Sequence, residues 1–204
     1  RQETAVLLGR VFQLEEGDTL SFQDKDQVAD WARGYVSAMA EAGYIQGYEG
    51  QFQPQGETTR AAAVTMLDNM VGEVYAEPGT YSPDTQKSVV VSAEGVTLKD
   101  AHIRGDLLVA PGVGEGELTL DNVQVDGKIL VQGGGEHSVL MNNVTVNGGI
   151  VVKKVGGTVR VVVSGKSDVS VVVLESGAIV VSRDLDSEQR LLPIVTEDAL
   201  QPGC

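Results

Sequence analysis

The stretch Leu98-Lys99-Asp100-Ala101-His102-Ile103-Arg104-Gly105 returns as Leu120-Asp121-Asn122-Val123-Gln124-Val125-Asp126-Gly127, and again as Met141-Asn142-Asn143-Val144-Thr145-Val146-Asn147-Gly148. Each copy opens on Leu or Met, has Asp or Asn two residues on, and closes on Gly; the glycines step by 22 and then 21 residues. The apolar runs Leu107–Val109, Ile129–Val131, Ile150–Val152 and Val171–Val173 keep the same step, and in a fourth, degenerate copy Ser164 falls where the Asn stood. Short alternating segments this rich in Val and Gly read as strands separated by turns. One such unit cannot bury its apolar face, whereas coils stacked on one another share a continuous aliphatic interior. The pattern predicts a short, right-handed parallel β-helix of about four coils with about three short faces per coil. An antiparallel sandwich competes, since strands at this spacing also fit it. The recurrence of Asn and Gly at fixed phase, which a sandwich does not need, favours the β-helix. Asp100, Asn122, Asn143 and Ser164 are expected to form a structural ladder, bonding one another and the turn backbone.

Working outward, the composition changes abruptly. All nine aromatic residues lie in the first 81 positions, and none falls between Ser88 and Ser182. The Pro, Gly, Ser and Asp of residues 76–87 mark a linker. The expected organisation is therefore a helical module over 1–75, a linker over 76–87, the β-helix over 88–182 and a C-terminal cap or tail over 183–204, an α + β multidomain chain.

The first part reads as three helices by apolar spacing. One carries Ala5, Leu8, Val11 and Phe12. A second, about Gln27 to Ala42, places Val28, Trp31, Tyr35 and Met39 on one stripe, with Asp24 or Asp26 as candidate caps and Gly43 as its stop. A third begins at Thr59-Arg60 and carries Val64, Leu67, Met70 and Val71. The helices repeat: Arg1, Ala5, Leu8 and Val11 superpose on Arg60, Val64, Leu67 and Met70 at an offset of 59 residues, the mark of a supersecondary unit used more than once.

Bulk properties exclude several classes. Of 204 residues 42 % are hydrophobic, which suits a packed core, and the net charge of −14 opposes binding to nucleic acid or an anionic membrane. The one cysteine, Cys204, forms no internal disulfide and belongs to no zinc spacing. No apolar stretch reaches the roughly 20 residues of a membrane-spanning helix. The chain opens at Arg1 in mid-motif without a visible signal peptide, and reads as a piece of a longer protein.

The residues Phe22-x-Asp24, Trp31-Ala32, Ala38, Gly43-x-Ile45-x-Gly47, Phe52-x-Pro54 and Thr59-Arg60-Ala61 together resemble the S-layer homology motif, and Arg1-Gln2-Glu3 resembles the close of a preceding copy. The resemblance implies a helical bundle, usually of three motifs, that binds secondary polymers of the bacterial cell wall, and hence an extracellular, cell-surface location. It further implies that the closing-motif arginine sits in the polymer groove, a role falling here to Arg1 and Arg60 with Trp31 and Asp24 in support. A guanidinium fork suits a polymer bearing carboxylate or phosphate. Trp31 also lies on the apolar stripe, where a core role competes with a ligand platform. Where the family has Glu after Thr-Arg-Ala, this chain has Ala62.

Polysaccharide lyases and hydrolases also use β-helices, and a site of that kind would fall in the second half. Such sites need carboxylates, or a basic residue beside calcium, gathered on one exposed face. Asp100, Asp121, Asp126 and Asp168 fall at different phases of the repeat, as do His102 and His137, and no aromatic residue is present to stack sugars. The expectation is a non-catalytic surface protein: an anchor to cell-wall polysaccharide plus a β-helical spacer or display module, without cofactor, metal, nucleic acid or membrane insertion. The alternatives are a carbohydrate-active β-helix enzyme and a self-assembling scaffold, since the Val/Gly coils also resemble bactofilin-like polymer-forming β-helices.

Overall fold

A computed structural model of the chain describes residues 1–185 and 194–196. It divides into a unit of residues 1–70 and a unit beginning at Val71.

The first unit holds α1 (Gln2–Val11), α2 (Asp30–Glu41) and α3 (Arg60–Met70). The second helix starts three residues later than its spacing predicts. Lys25–Gln27 form a separate 3₁₀ turn, Val28 and Ala29 are extended, and the Ala29 N–H donates to Gln2 Oε1 at 3.0 Å. The later start rotates the buried stripe. Ala32, Val36 and Met39 are fully buried, whereas Trp31 is 55 % exposed and does not belong to the core. Tyr35 lies on the flank against Gly9, where a Cβ would come within 2.5 Å of its ring, so the glycine lets α1 and α2 approach. The helix ends as expected at Gly43, in the left-handed conformation: the Gly43 N–H donates to Ala40 O and the Tyr44 N–H to Met39 O, a Schellman closure. In α3 the buried residues are Met66 and Met70, while Val64 and Leu67 face solvent. Thr59 caps this helix by accepting from the Ala62 N–H at 3.2 Å.

The second unit is a parallel β-solenoid of about 6 turns. Its strands are β1 (Val71–Tyr75), β2 (Gly79–Tyr81), β3 (Asp84–Thr85), β4 (Ser88–Val91), β5 (Val96–Ile103), β6 (Leu107–Val109), β7 (Leu118–Val125), β8 (Ile129–Val131), β9 (Val139–Val146), β10 (Ile150–Val152), β11 (Val159–Gly165), β12 (Asp168–Val169), β13 (Val172–Leu174), β14 (Ala178–Leu185) and β15 (Ile194–Thr196). The short strands form one parallel sheet in the order β1-β4-β6-β8-β10-β13-β15, and the long ones another in the order β14-β11-β9-β7-β5-β2, with β3 beside β5 and β12 beside β9. The turns exceed the four expected because the first and last coils lack the Asn–Gly signature. Within residues 76–87, expected as a linker, Gly79–Tyr81 and Asp84–Thr85 are strands. Pro78 and Pro83 stand beside these edge strands, where a missing N–H is tolerated. The cap expected over 183–204 falls mainly outside the described residues; within them β15 continues the short-strand sheet beside β13.

Each long strand turns a corner in its middle. Asp100, Asn122 and Asn143 have φ of 49°, 57° and 55°, a left-handed conformation that Asn and Asp tolerate better than other side-chain-bearing residues. The corner puts two successive residues outside, so Leu98 and Ala101 are both buried around exposed Lys99 and Asp100. One strand thereby supplies two of the coil's three faces. Inside, Leu98, Leu120, Met141 and Val163 stack along the axis, as do Ile103, Val125, Val146 and Val169. The interior is aliphatic; Tyr75 and Tyr81, stacked at 4.1 Å, pack against it only at the first coil.

Candidate functional site

In the helical unit Arg1 lies on the wall of two cavities. One, of about 420 Å³, is lined further by Glu3, Thr4, Gln55, Glu57 and Thr58. The other, of about 290 Å³, is lined by Tyr44, Gln46, Ala62, Thr65 and Asn69. The start of α1 is held in place from several sides. The main-chain nitrogen of Arg1 donates to Gly56 O at 2.7 Å, the Thr4 hydroxyl donates to the Thr58 hydroxyl at 2.8 Å, and the buried Gln2 bonds Ala29. The guanidinium lies 5.5 Å from the centre of the Phe52 ring, and its Nε is buried without a hydrogen-bond partner among the described residues. A buried donor left unmade costs about 1–3 kcal/mol. Arg1 carries a cation that never deprotonates, a charge that suits a carboxylate or phosphate entering either cavity. Ala62, where the resemblance leads one to expect Glu, opens the second cavity toward Arg1.

The other residues assigned by resemblance sit elsewhere. Arg60 is exposed at the start of α3 and lines neither cavity. Trp31 is exposed on α2, outside both. Asp24 is buried, and its two oxygens accept from the Phe52 and Gln53 N–H groups at 2.8 and 2.7 Å. It clamps a loop in which Gln53 has positive φ rather than facing a groove. Glu3, Glu57, Tyr44, Asn69 and Thr65 were missed. Arg1-Gln2-Glu3 held the one usable signal, for Glu3; Tyr44 and Glu57 come from loops, and Thr65 and Asn69 from α3.

On the solenoid, Asn122 Nδ2 donates to Asp100 Oδ1 at 2.7 Å, and Asn143 Oδ1 accepts from the Lys166 N–H at 2.9 Å. Ser164 is in register with Asn142, not Asn143; Gly165, with φ of 64°, takes the corner in that coil. The residues around this face are paired: Arg104 with Asp84 at 2.6 Å, His102 with Asp126 at 3.0 Å, Lys99 with Asp121 at 3.3 Å. Hydrogen bonds from Asn142 and Lys99 hold Asp121 below the usual carboxylate range, and those from Gln124 and His102 do so for Asp126. Among the described residues no group of His, Cys, Asp and Glu is placed to hold a metal.

Asp106 behaves oppositely. Burial pushes its carboxyl up despite the Lys128 N–H that it accepts at 2.9 Å. A folded-state value above the unfolded one means stability is lost as pH rises through that interval and is fully present only below it. Asp106→Asn keeps the acceptor and removes the buried charge. It is expected to raise the denaturation midpoint at pH 7 and to leave it nearly unchanged at pH 3, as measured by urea titration at both values.

Residues 21–64 match the model of the S-layer homology domain. The chain is also similar to a cellulosome-anchoring protein of Acetivibrio thermocellus, 32 % identical over 66 residues, a stretch that is 32 % of this chain and 15 % of the relative. No solved structure matches the chain. No helix among the described residues is long and apolar enough to cross a membrane. The chain carries an S-layer homology domain over residues 21–64, followed by a parallel β-solenoid.

Proposed function

We propose that the chain is part of a cell-surface protein whose helical unit anchors it to a cell-wall polymer bearing carboxylate or phosphate, and whose solenoid is a non-catalytic spacer or display module. The observation that carries the anchoring is Arg1, a residue that lines two cavities of the helical unit, with its guanidinium over the Phe52 ring. The domain match and the printed role of the Acetivibrio relative support it. Arg60 and Trp31, both exposed, are the second-rank contacts; Asp24 acts by holding the Phe52 loop. The non-catalytic reading is supported by the solenoid's paired carboxylates: the oxygens of Asp121 and Asp126 are taken up by Lys99, Asn142, Gln124 and His102. Asp106, whose carboxyl is raised, is committed to a backbone N–H.

Co-sedimentation of the chain with purified cell walls tests this. Retention by intact walls and release after the secondary polymers are stripped with acid is the expected result. Equal retention by intact and stripped walls, or none by either, would sink the anchoring role.

A further inference from the structure

The solenoid surface carries a groove of about 350 Å³ that the anchoring does not use. One side is the corner row Asp100, Asn122 and Asn143; the other is the row Asp84, His102, Gln124 and Thr145, which are successive partners in strand register. Between them run the backbones of Ala101 and Val123, whose side chains point into the core. Three successive coils thus contribute one hydrogen-bonding side chain to each side, and the coil before them adds Asp84 to one side, at the strand spacing of about 4.8 Å along the axis.

The corner row has a backbone reason to be Asp or Asn. The facing row has none, since it occupies regular strand positions. At the outward phase of the other sheet the registered residues are Val90, Leu108, Leu130 and Val151. Of these Leu108 and Leu130 are buried, whereas Thr97 and Thr119, at the other outward register of the long strands, are polar like the groove row.

The groups are also preorganised. Gln124 Nε2 donates to Asp126 Oδ1 at 2.8 Å, Asp126 pairs with His102, Asp84 with Arg104, and Asn122 is bonded to Asp100. Fixing polar groups before binding lowers the cost of ordering them on a ligand. The face holds Asp84, Asp100, Asp121 and Asp126 against Lys99 and Arg104, an acidic balance on a chain of net charge −14. That field repels anionic polymers. Carboxylates, amides, an imidazole and a hydroxyl line the two rows, all groups that hydrogen-bond the hydroxyls of a sugar.

We propose that this groove binds a neutral, extended glycan lying along the solenoid axis, a ligand distinct in charge from the anionic polymer assigned to Arg1 and independent of that assignment. With no aromatic platform in the groove the binding is weak, on the order of millimolar.

The test is native affinity electrophoresis of the full chain in gels containing hydroxyethylcellulose, glucomannan or dextran as neutral probes and polygalacturonate as the anionic one. At least one neutral polymer is expected to retard the chain. Gln124→Ala and Thr145→Val, both at exposed or half-exposed strand positions, should each weaken that retardation about fivefold, as loss of one hydrogen bond does, with unchanged circular dichroism. Thr145→Arg, which fills the groove, should abolish it. Arg1→Ala should leave it intact, which separates failure here from failure of the wall anchor. Absence of retardation by all three neutral polymers would overturn the proposal. So would groove variants that run like the parent chain, or retardation by polygalacturonate that the groove variants lose.

Discussion

Asp24→Ala is expected to destabilise the helical unit by about 3–5 kcal/mol, the sum of two charge-assisted hydrogen bonds to main-chain N–H groups. The Phe52 and Gln53 amides that it would orphan lie in a loop around Phe52, which is fully buried and stacked on Phe22 at 5.4 Å. Since Phe52 also lies under the Arg1 guanidinium, the variant should lose the Arg1 cavities along with stability. Asp24→Asn keeps one acceptor and should lose roughly half as much. Urea unfolding followed by Trp31, the chain's one tryptophan and a member of this unit, reads the effect. A cost below about 1 kcal/mol would mean that the clamp is not what holds the loop.

Gly127→Ala should be nearly as damaging to the solenoid, at about 3 kcal/mol. A Cβ there would lie 2.3 Å from Asp106 Oδ1 and 2.6 Å from Gly105 O. Gly105 and Gly148 are equally confined, by Ser88 N at 2.5 Å and by the Gly127 carbonyl at 2.7 Å. These contacts are mostly with backbone, so relief requires neighbouring coils to move apart. None of the three has positive φ: the repeated glycine is there for space between coils, not for an unusual backbone. Gly43→Ala makes the contrast, having a left-handed φ of 73° at the end of α2 and open surroundings, and should cost only about 1–2 kcal/mol of backbone strain. Thermal denaturation by far-UV circular dichroism should rank Gly127→Ala well below Gly43→Ala in midpoint; the reverse order would contradict the stacking account.

The same physics explains what could be read from the sequence. The repeating glycine and the corner Asp or Asn answer to strict local demands, space in one case and a left-handed φ in the other. Their period therefore revealed the parallel coils and the inward pairs Val123/Val144 and Val125/Val146. The phase slipped only where the demand could be met by another residue: Gly165 turns the corner as well as Asn does, which left Ser164 one position early. The helical unit was harder, because apolar periodicity gives a stripe without its rotation. Val28 and Met39 of the expected stripe are buried, but Ala32 and Val36 turn inward in place of Trp31 and Tyr35. Asp24 looked like a helix cap because its neighbours are helical, whereas its partners, Phe52 and Gln53, are 28 and 29 residues away. The Arg1 cavities depend on loop residues such as Tyr44 and Glu57 that no period constrains. The solenoid groove escaped notice for a related reason. His102, Gln124 and Thr145 share one phase of the repeat but no residue type, and Asp84 precedes the first legible copy, so only strand register brings them together.

The anchoring claim stands most directly on Arg1, and calorimetric titration of purified secondary wall polymer into the chain tests it. The account predicts saturable binding that weakens at least about tenfold in Arg1→Ala, the loss of a charge-assisted contact. Arg1→Lys should recover only part of it, because the charge returns without the fork. Binding of equal strength in the parent chain and in Arg1→Ala would contradict the assignment.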